Sequence, residues 1–197
     1  ITKVEVWVTN KTGTTNETRN IVSFLDLGET TQNINNTLVT TTNGGNFPDN
    51  NAANNLFESL TTQFSSIRDI NEVNNVLSQL IPFNFLNGQD YEKLERARKL
   101  SESEYSINRQ LGYISLNQAL NNDEVLSVAF QYTVGNQTYQ VGELSSTGPD
   151  APDAMITKLL KGTNFSPNLP NWHLMMKNIY AIGAYQMSRE GFILDVV

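Results

Sequence analysis

Few side chains in this sequence have the type and spacing that catalysis or metal binding requires. His173 is the only histidine, and cysteine is absent. A histidine without a second His, a Cys or an HxxxH spacing is typical of an ordinary surface or half-buried residue, not of a metal ligand or catalytic base. We therefore predict no catalytic, metal-binding or cofactor-binding residue.

The acidic residues offer two candidate pairs, Glu102 with Glu104 and Asp123 with Glu124. Paired carboxylates can act as acid and base in glycoside hydrolysis. Carboxylates so close along one segment rarely converge across a substrate, and the second pair stands where a turn into a strand is expected. Exposed loop positions are the favoured interpretation. Residues 49–51 carry oxygen donors but lack the spacing, central glycine and closing glutamate of an EF-hand loop.

Length and charge limit the possible classes of protein. With 197 residues the chain can form one domain with a sizeable core. It has 13 basic against 20 acidic residues and a pI near 4.7, so no basic surface exists to hold a phosphate backbone. Nucleic-acid binding is therefore not expected. No apolar run approaches the ~18 residues that a membrane-spanning helix needs.

The strongest local pattern is a hairpin at about 125–143. Alternation of apolar and polar residues over 126–134 predicts a strand with one buried face. Gly135 and Asn136 then form a two-residue loop of the II′ type, which places Tyr132 opposite Tyr139 and Phe130 opposite Val141. If Phe130 is a core residue, its replacement by Ala should cost about 3–5 kcal/mol.

The remaining pattern predicts an α+β fold with an antiparallel sheet built around the central hairpin. Strands are expected at 3–9 and 21–27, while 90–106 and 155–160 are left open between helix and strand. Residues 30–51, which are rich in Asn and Thr, are expected to form a long, mobile surface loop. Helices packed on the sheet are expected from 3.6-residue periodicity at about 51–64, 70–81 and 171–182.

The ends of the sequence suggest that it was cut from a longer chain. It begins with Ile1 and no methionine, its first residues already have a strand pattern, and residues 192–197 are apolar and strand-like. Terminal residues of a free-standing domain are usually frayed and polar. We therefore expect a single soluble domain, 1–197, that is a fragment of a much longer chain.

Several long strings in the sequence resemble the SprA/Sov family. They include RKLSESEY at 98–105, LGYISLNQAL at 111–120, DEVLSVAFQY at 123–132 and PNWHLMMKNIY at 170–180. Shorter strings, among them EVWVTN at 5–10 and VGE at 141–143, extend the resemblance over most of the sequence. The family pattern has Trp-Asp where this chain has Trp172-His173.

The SprA/Sov family forms the giant outer-membrane translocon of the Bacteroidetes type IX secretion system, which is also linked to gliding motility. The resemblance implies a non-catalytic domain that frames the pore or docks accessory or client proteins. Its partners would be other segments of the same chain, accessory secretion proteins and secreted clients in transit. The implied location is the Gram-negative outer membrane, with an extracellular cap favoured over the periplasm.

Two other functions stay open. The first is a surface glycan- or protein-binding module of a Bacteroidetes envelope protein, indicated by Trp7, Trp172, the tyrosines and the Asn/Thr-rich loops. Such a module should present several aromatic side chains next to each other on an exposed face. The second is a carboxylate-based hydrolase, which requires two acidic groups facing each other across a cleft.

Overall fold

A computed structural model describes residues 1–31, 33–42, 48–79, 83–164, 166–175 and 190–191. These residues form eight strands, two short α-helices and two 3-10 helices. The helical segments are α1 (Leu56–Thr62), a 3-10 helix at Ser65–Arg68, α2 (Val73–Ser78) and a 3-10 helix at Pro170–Leu174. The strands are β1 (Lys3–Val8), β2 (Thr18–Phe24), β3 (Tyr91–Lys99), β4 (Tyr105–Asn108), β5 (Tyr113–Leu116), β6 (Leu126–Val134), β7 (Gln137–Val141) and β8 (Met155–Lys161).

Five of the strands close into a barrel. The order around it is β1-β3-β2-β8-β6, and β6 returns to β1 through six antiparallel pairs from Lys3↔Gln131 to Val8↔Leu126. All neighbours are antiparallel except β2 and β8, which run parallel. Strand β7 extends β6 outward, and β4 pairs with β5 in a separate two-stranded sheet, here called the small sheet.

The predicted α+β fold is therefore wrong. The fold is mainly β, and the sheet closes on itself instead of lying open beneath a layer of helices. Residues 91–99 and 155–161 form the barrel strands β3 and β8. The closing contact joins residues about 120 positions apart, and local periodicity carries no information on such pairing.

The interior of the barrel is filled by side chains from every strand. Trp7 is only 1 % exposed there, together with the fully buried Ser23, Ser127 and Thr157. Ser23 Oγ donates to Ser127 Oγ at 2.8 Å, and Ser127 Oγ also contacts Thr157 Oγ1. The prediction that β6 has one buried face is thus wrong, since Ser127 on its polar face points into the closed barrel.

The outer surface of the barrel is covered on two sides. The helix side packs α1, α2 and the segment around Phe83 and Phe85 on Val22, Phe24 and Ile156. The small-sheet side packs β4 and β5 on β1 and β6 around Val6, Val8, Leu100 and Val128. One set of alternate strand residues therefore contacts a cover layer, while the other set, which includes a second apolar cluster around Trp7, fills the barrel.

The central hairpin is confirmed. Tyr132 pairs with Tyr139 and Phe130 with Val141, in the predicted register. Gly135 has φ +60°, as the first position of a II′ turn requires. Phe130 lies only half-buried at the edge of the small-sheet side, so its packing is looser than a core position would give.

The helices predicted at about 51–64 and 70–81 exist only as the short α1 and α2. Residues before Leu56 are held outside a helix because Asn54 forms a bridge with Thr41 and its Nδ2 donates to Asp26 O at 2.8 Å. Neither α-helix has a side-chain hydrogen bond at its N-cap residue. Residues 80–82, at the predicted end of the second helix, lie outside the described residues.

Within the helix predicted at about 171–182, the described residues form the 3-10 helix Pro170–Leu174. Residues 176–182 lie outside the described residues, as does the strand expected at 192–197. The described part of the loop 30–51 is held against the core. Val39 is buried, and Asn36 Nδ2 donates to Phe83 O at 2.9 Å.

Candidate functional site

A pocket of about 270 Å³ lies between the barrel and the small sheet. It opens where the segment 116–124 passes from β5 back to β6. Its apolar floor is formed by Val8, Leu100, Leu116 and Leu120. Its polar rim includes Arg98, Glu104, Asn117, Gln118, Asn121 and Glu124. The size is close to the lower end of the roughly 300–1,000 Å³ that is typical of small-molecule sites.

The charges at the rim compensate one another. Arg98 Nη1 donates to Glu104 Oε1 at 2.7 Å, while Glu104 Oε2 accepts from Ser101 N at 2.9 Å and from Ser101 Oγ at 3.0 Å. The Ser101 backbone hydrogen bond, followed by the contact with Arg98, lowers the pKa of Glu104 below its ordinary value. Glu104 is therefore an ionised partner of Arg98 at neutral pH.

The pocket brings together one carboxylate from each of the two predicted pairs, Glu104 and Glu124. Glu124 Oε2 accepts from Asn121 N at 2.6 Å and Asn121 Nδ2 at 2.9 Å, so this carboxylate stabilises a turn. A glycosidase acid needs a raised pKa, whereas that of Glu104 is lowered. The arrangement therefore favours binding over acid–base catalysis.

The outer members of the pairs lie away from the pocket. Glu102 and Asp123 occupy exposed turns, as the sequence indicates. Asp123 contacts Lys11 Nζ, and this hydrogen bond lowers the pKa of its carboxyl group. The four carboxylates do not form a common site.

The rim of the pocket is fixed before any ligand arrives. Asn117 N donates to Glu104 O at 2.9 Å, and Asn117 Nδ2 donates to Ser103 O at 2.6 Å. At the other end of the segment, Lys161 Nζ donates to Asn121 O at 2.9 Å. Both ends of the 117–121 segment are thus anchored, which lowers the entropic cost of binding.

A second polar cluster joins Glu5, Lys99 and Ser145, which are far apart in sequence. Ser145 Oγ donates to Glu5 Oε1 at 2.6 Å, and Lys99 Nζ lies 3.1 Å from the same oxygen. Burial alone would raise the pKa of Glu5, but the hydrogen bonds from Ser145 and Lys99 outweigh it and lower the pKa. Lys99 Nζ also lies 5.9 Å from the centre of the Trp7 ring.

This cluster has the residue types of an activated serine but not the required environment. A carboxylate with a lowered pKa is a weak base for the Ser145 hydroxyl. The backbone N–H of Ser145 donates to Glu5 Oε2 at 2.8 Å and is not free to stabilise an oxyanion. The cluster instead ties the 145 segment to β1 and β3.

Two buried aspartates on the helix side hold loops in place. Asp26 accepts from Asn35 N at 2.7 Å and Asn36 N at 2.8 Å, and Asp90 accepts from Leu86 N at 2.8 Å. Burial raises the pKa of both aspartates. These contacts satisfy backbone donors, so both carboxylates stabilise the loops that they contact.

The described residues contain no group of three or more His, Cys, Asp or Glu side chains that could hold a metal ion. His173 is exposed in the 3-10 helix. Asn51 pairs with the edge of β7, where its Oδ1 accepts from Gly142 N at 2.8 Å. The segment 49–51 therefore closes part of a sheet edge.

Three half-buried aromatic side chains form a line on the outer face of the central hairpin, here called the aromatic row: Phe130, Tyr132 and Tyr139. Ring centres are 6.0 Å apart for the first two and 5.6 Å for the tyrosines, which are stacked. The Tyr132 hydroxyl donates to Asp49 O at 2.5 Å, and burial raises its pKa to about 12. Tyr139 donates to Gln137 Oε1 at 2.7 Å.

The tryptophans that the sequence suggested as ligand-binding residues are placed elsewhere. Trp7 lies inside the barrel, and Trp172 is half-buried in the 3-10 helix. The sequence does not indicate that the aromatic row, and not the tryptophans, lies on an accessible face. Strand alternation identifies the face on which a side chain lies but not what covers that face.

No model of a known protein family matches this chain, and no curated protein is significantly similar to it. Among the described residues, no helix has the length and apolar character needed to cross a membrane.

Proposed function

We propose that this chain is a non-catalytic domain of an outer-membrane protein-translocation channel of the type IX secretion system. It would frame the pore or dock accessory and client proteins, and an extracellular cap is favoured over a periplasmic position. The strings that resemble SprA/Sov motivate this assignment. They are also central to the structure, since they contain the closing strand β6, Gly142 and Glu143.

The main support for a non-catalytic role is that the buried charged side chains form ion pairs between segments of the structure. Glu143 binds both terminal nitrogens of Arg68 at 2.6 Å and accepts from Ile156 N at 2.8 Å. Lys158 contacts Glu29 and Leu25 O, with both side chains at least nine-tenths buried. Each pair joins a covering segment to the barrel, which is what a mechanical framework needs.

The role in secretion can be tested in the full-length chain in its own membrane. Phe24→Asp would place a charge in the helix-side core, and we expect it to stop the export of a reporter that carries a C-terminal sorting domain. Gln110→Asp, at an exposed turn position outside the pocket, is the matched control and should leave export intact. Normal export from a chain lacking residues 1–197 would exclude the proposal.

The side of the outer membrane on which the domain lies can be tested by labelling an introduced cysteine, since the 197 residues contain none. A Gln137→Cys variant on the exposed hairpin should react with a membrane-impermeant maleimide in intact cells if the domain is extracellular. A Ser127→Cys variant inside the barrel is the unreactive control. Labelling of Gln137→Cys only after the outer membrane is opened would place the domain in the periplasm.

The aromatic row favours a second candidate, a surface glycan- or protein-binding module. Aromatic rings next to each other on a half-exposed face are the feature expected of such a module. Affinity electrophoresis in gels containing envelope polysaccharide should retard the chain, and Tyr139→Ala should abolish the retardation. Equal mobility of Tyr139→Ala and the unchanged chain would remove this candidate.

A further inference from the structure

We infer that the pocket between the barrel and the small sheet binds a neutral sugar unit, either a monosaccharide or the terminal hexose of a glycan. This site is separate from the aromatic row and does not depend on a role in secretion. The inference rests on the pocket's volume, its compensated charge and its mixture of hydrogen-bonding groups.

The charged side chains at the rim of the pocket disfavour an ionic ligand. Arg98 and Glu104 neutralise each other across 2.7 Å, and the second carboxylate of the rim, Glu124, interacts with the nearby charge of Lys161. An anionic ligand would approach these two carboxylates, and a cationic ligand would approach Arg98. A neutral ligand avoids both repulsions and leaves the ion pair intact.

The free hydrogen-bonding groups are of both kinds. Among the described residues, Arg98 uses Nη1 for Glu104, and its Nη2 remains a donor without a partner. Glu124 uses Oε2 for Asn121, and its Oε1 remains an acceptor. Gln118 adds an amide that makes no hydrogen bond within the described part of the chain. Hydroxyl groups, which donate and accept at once, match this mixture.

The apolar floor of the pocket is suited to the ring of a sugar. Leu116, Leu120 and Leu100 lie beneath the polar rim. A pyranose ring has C–H groups that can pack on aliphatic side chains while its hydroxyls reach the rim. The volume of about 270 Å³ is large enough for one such ring. Affinity for one ring should be millimolar, because few contacts form.

The test is a titration of the ¹⁵N-labelled 197-residue chain with methyl glycosides of glucose, galactose and mannose, followed by NMR. At least one glycoside should give saturable shifts of the amides at 98–104 and 117–124, with a dissociation constant of roughly 1–10 mM. Gln118→Ala should weaken binding at least threefold. Ala119→Trp, which fills the pocket, should weaken it more than tenfold.

The matched control is Tyr139→Ala on the aromatic row, which should leave the pocket affinity unchanged. The inference would be overturned by the absence of a saturable shift with any glycoside up to 100 mM, or by an affinity in both pocket variants equal to that of the unchanged chain. Tighter binding of sodium acetate than of the sugars would also contradict it. Shifts that centre on Tyr139 and vanish in Tyr139→Ala would also overturn it, while supporting the second candidate function. If Ala119→Trp fails to fold, Gln118→Ala decides, since it removes an exposed side chain.

Discussion

The two covered faces of the barrel differ in how completely they are sealed. On the helix side, fifteen buried residues pack in one cluster. The small-sheet side has four buried residues with a margin of partly buried ones. The pocket and the aromatic row both belong to the second face. The helix side therefore stabilises the barrel, whereas the small-sheet side leaves surface accessible for contacts.

The ion pairs follow the same division. Arg68–Glu143 and Lys158–Glu29 connect the helix side to the barrel, and their side chains are at most 18 % exposed. The side chains of Arg98–Glu104 at the pocket are 24 % and 36 % exposed. Charge pairs gain most from exact geometry when water is excluded, and removing one partner then leaves an uncompensated charge. Equivalent changes on the two faces should therefore have unequal effects.

The largest expected difference concerns two phenylalanines. Phe24→Ala should lower the free energy of unfolding by about 3–5 kcal/mol, because Phe24 is fully buried against Phe85 and Tyr91. Phe130→Ala should cost about 1–3 kcal/mol, because its ring is only half-buried. Urea unfolding of both variants checks the comparison, and equal losses would mean that the two faces are equally packed.

The next effect compares two arginine–glutamate pairs. Arg68→Ala should cost about 2–4 kcal/mol, since it leaves Glu143 buried without its partner. Arg98→Ala should cost less than about 1 kcal/mol, as its pair is exposed to solvent. Thermal unfolding at two salt concentrations separates them. A larger loss for Arg98→Ala would contradict the division.

The pH dependence of stability should have opposite signs on the two faces. The raised pKa of Asp26 means that its contribution is present below the ordinary value of 3.8 and is lost as the pH rises through the folded-state pKa. The lowered pKa of Glu104 gives a contribution that is present above 4.5 and is lost as the pH falls.

The variants Asp26→Asn and Glu104→Gln test these signs in urea unfolding from pH 3 to pH 8. The advantage of the unchanged chain over Asp26→Asn should shrink as pH rises, and its advantage over Glu104→Gln should grow. If the free energy of unfolding of both variants changes with pH in the same way as that of the unchanged chain, neither carboxylate has the pKa shift that the structure indicates.

The smallest effect concerns the aromatic row. Tyr132→Phe removes the hydrogen bond to Asp49 O and should cost about 0.5–1.5 kcal/mol. The same change should delete the tyrosine that ionises near pH 12, observed by absorbance at 295 nm. Tyr139→Phe is the control and should leave that step in place. Persistence of the step in Tyr132→Phe would contradict the assignment.

Local patterns were sufficient for the hairpin. Glycine at the first loop position and the pairing of Tyr132 with Tyr139 constrain the same register, so two short-range signals agree. Strand β1 and the turn position of Asp123 were also predictable. Helix lengths were not, because tertiary contacts of Asn54 compete with the helical periodicity that follows it.

The sites depended on contacts that no local pattern encodes. The pocket joins Arg98 to Glu124, and the Glu5–Lys99–Ser145 cluster joins three distant segments. Nothing in the sequence marks Ser127 as interior, since a polar residue on an alternating strand ordinarily faces water. In this chain, the small sheet covers the face of β6 that carries Val128, so the alternate face with Ser127 lies inside the barrel.

Residue patterns alone predicted strands near β1 and β2 and the β6–β7 hairpin with its register, whereas β3 and β8 stayed open between helix and strand and β4 and β5 were not predicted. Only the tertiary structure decided that β1 returns to β6, that both faces of these strands are buried, and where a pocket remains between the layers. The physical reason is that side-chain alternation is set within a few residues, whereas barrel closure is set by pairing between residues 3–8 and 126–131.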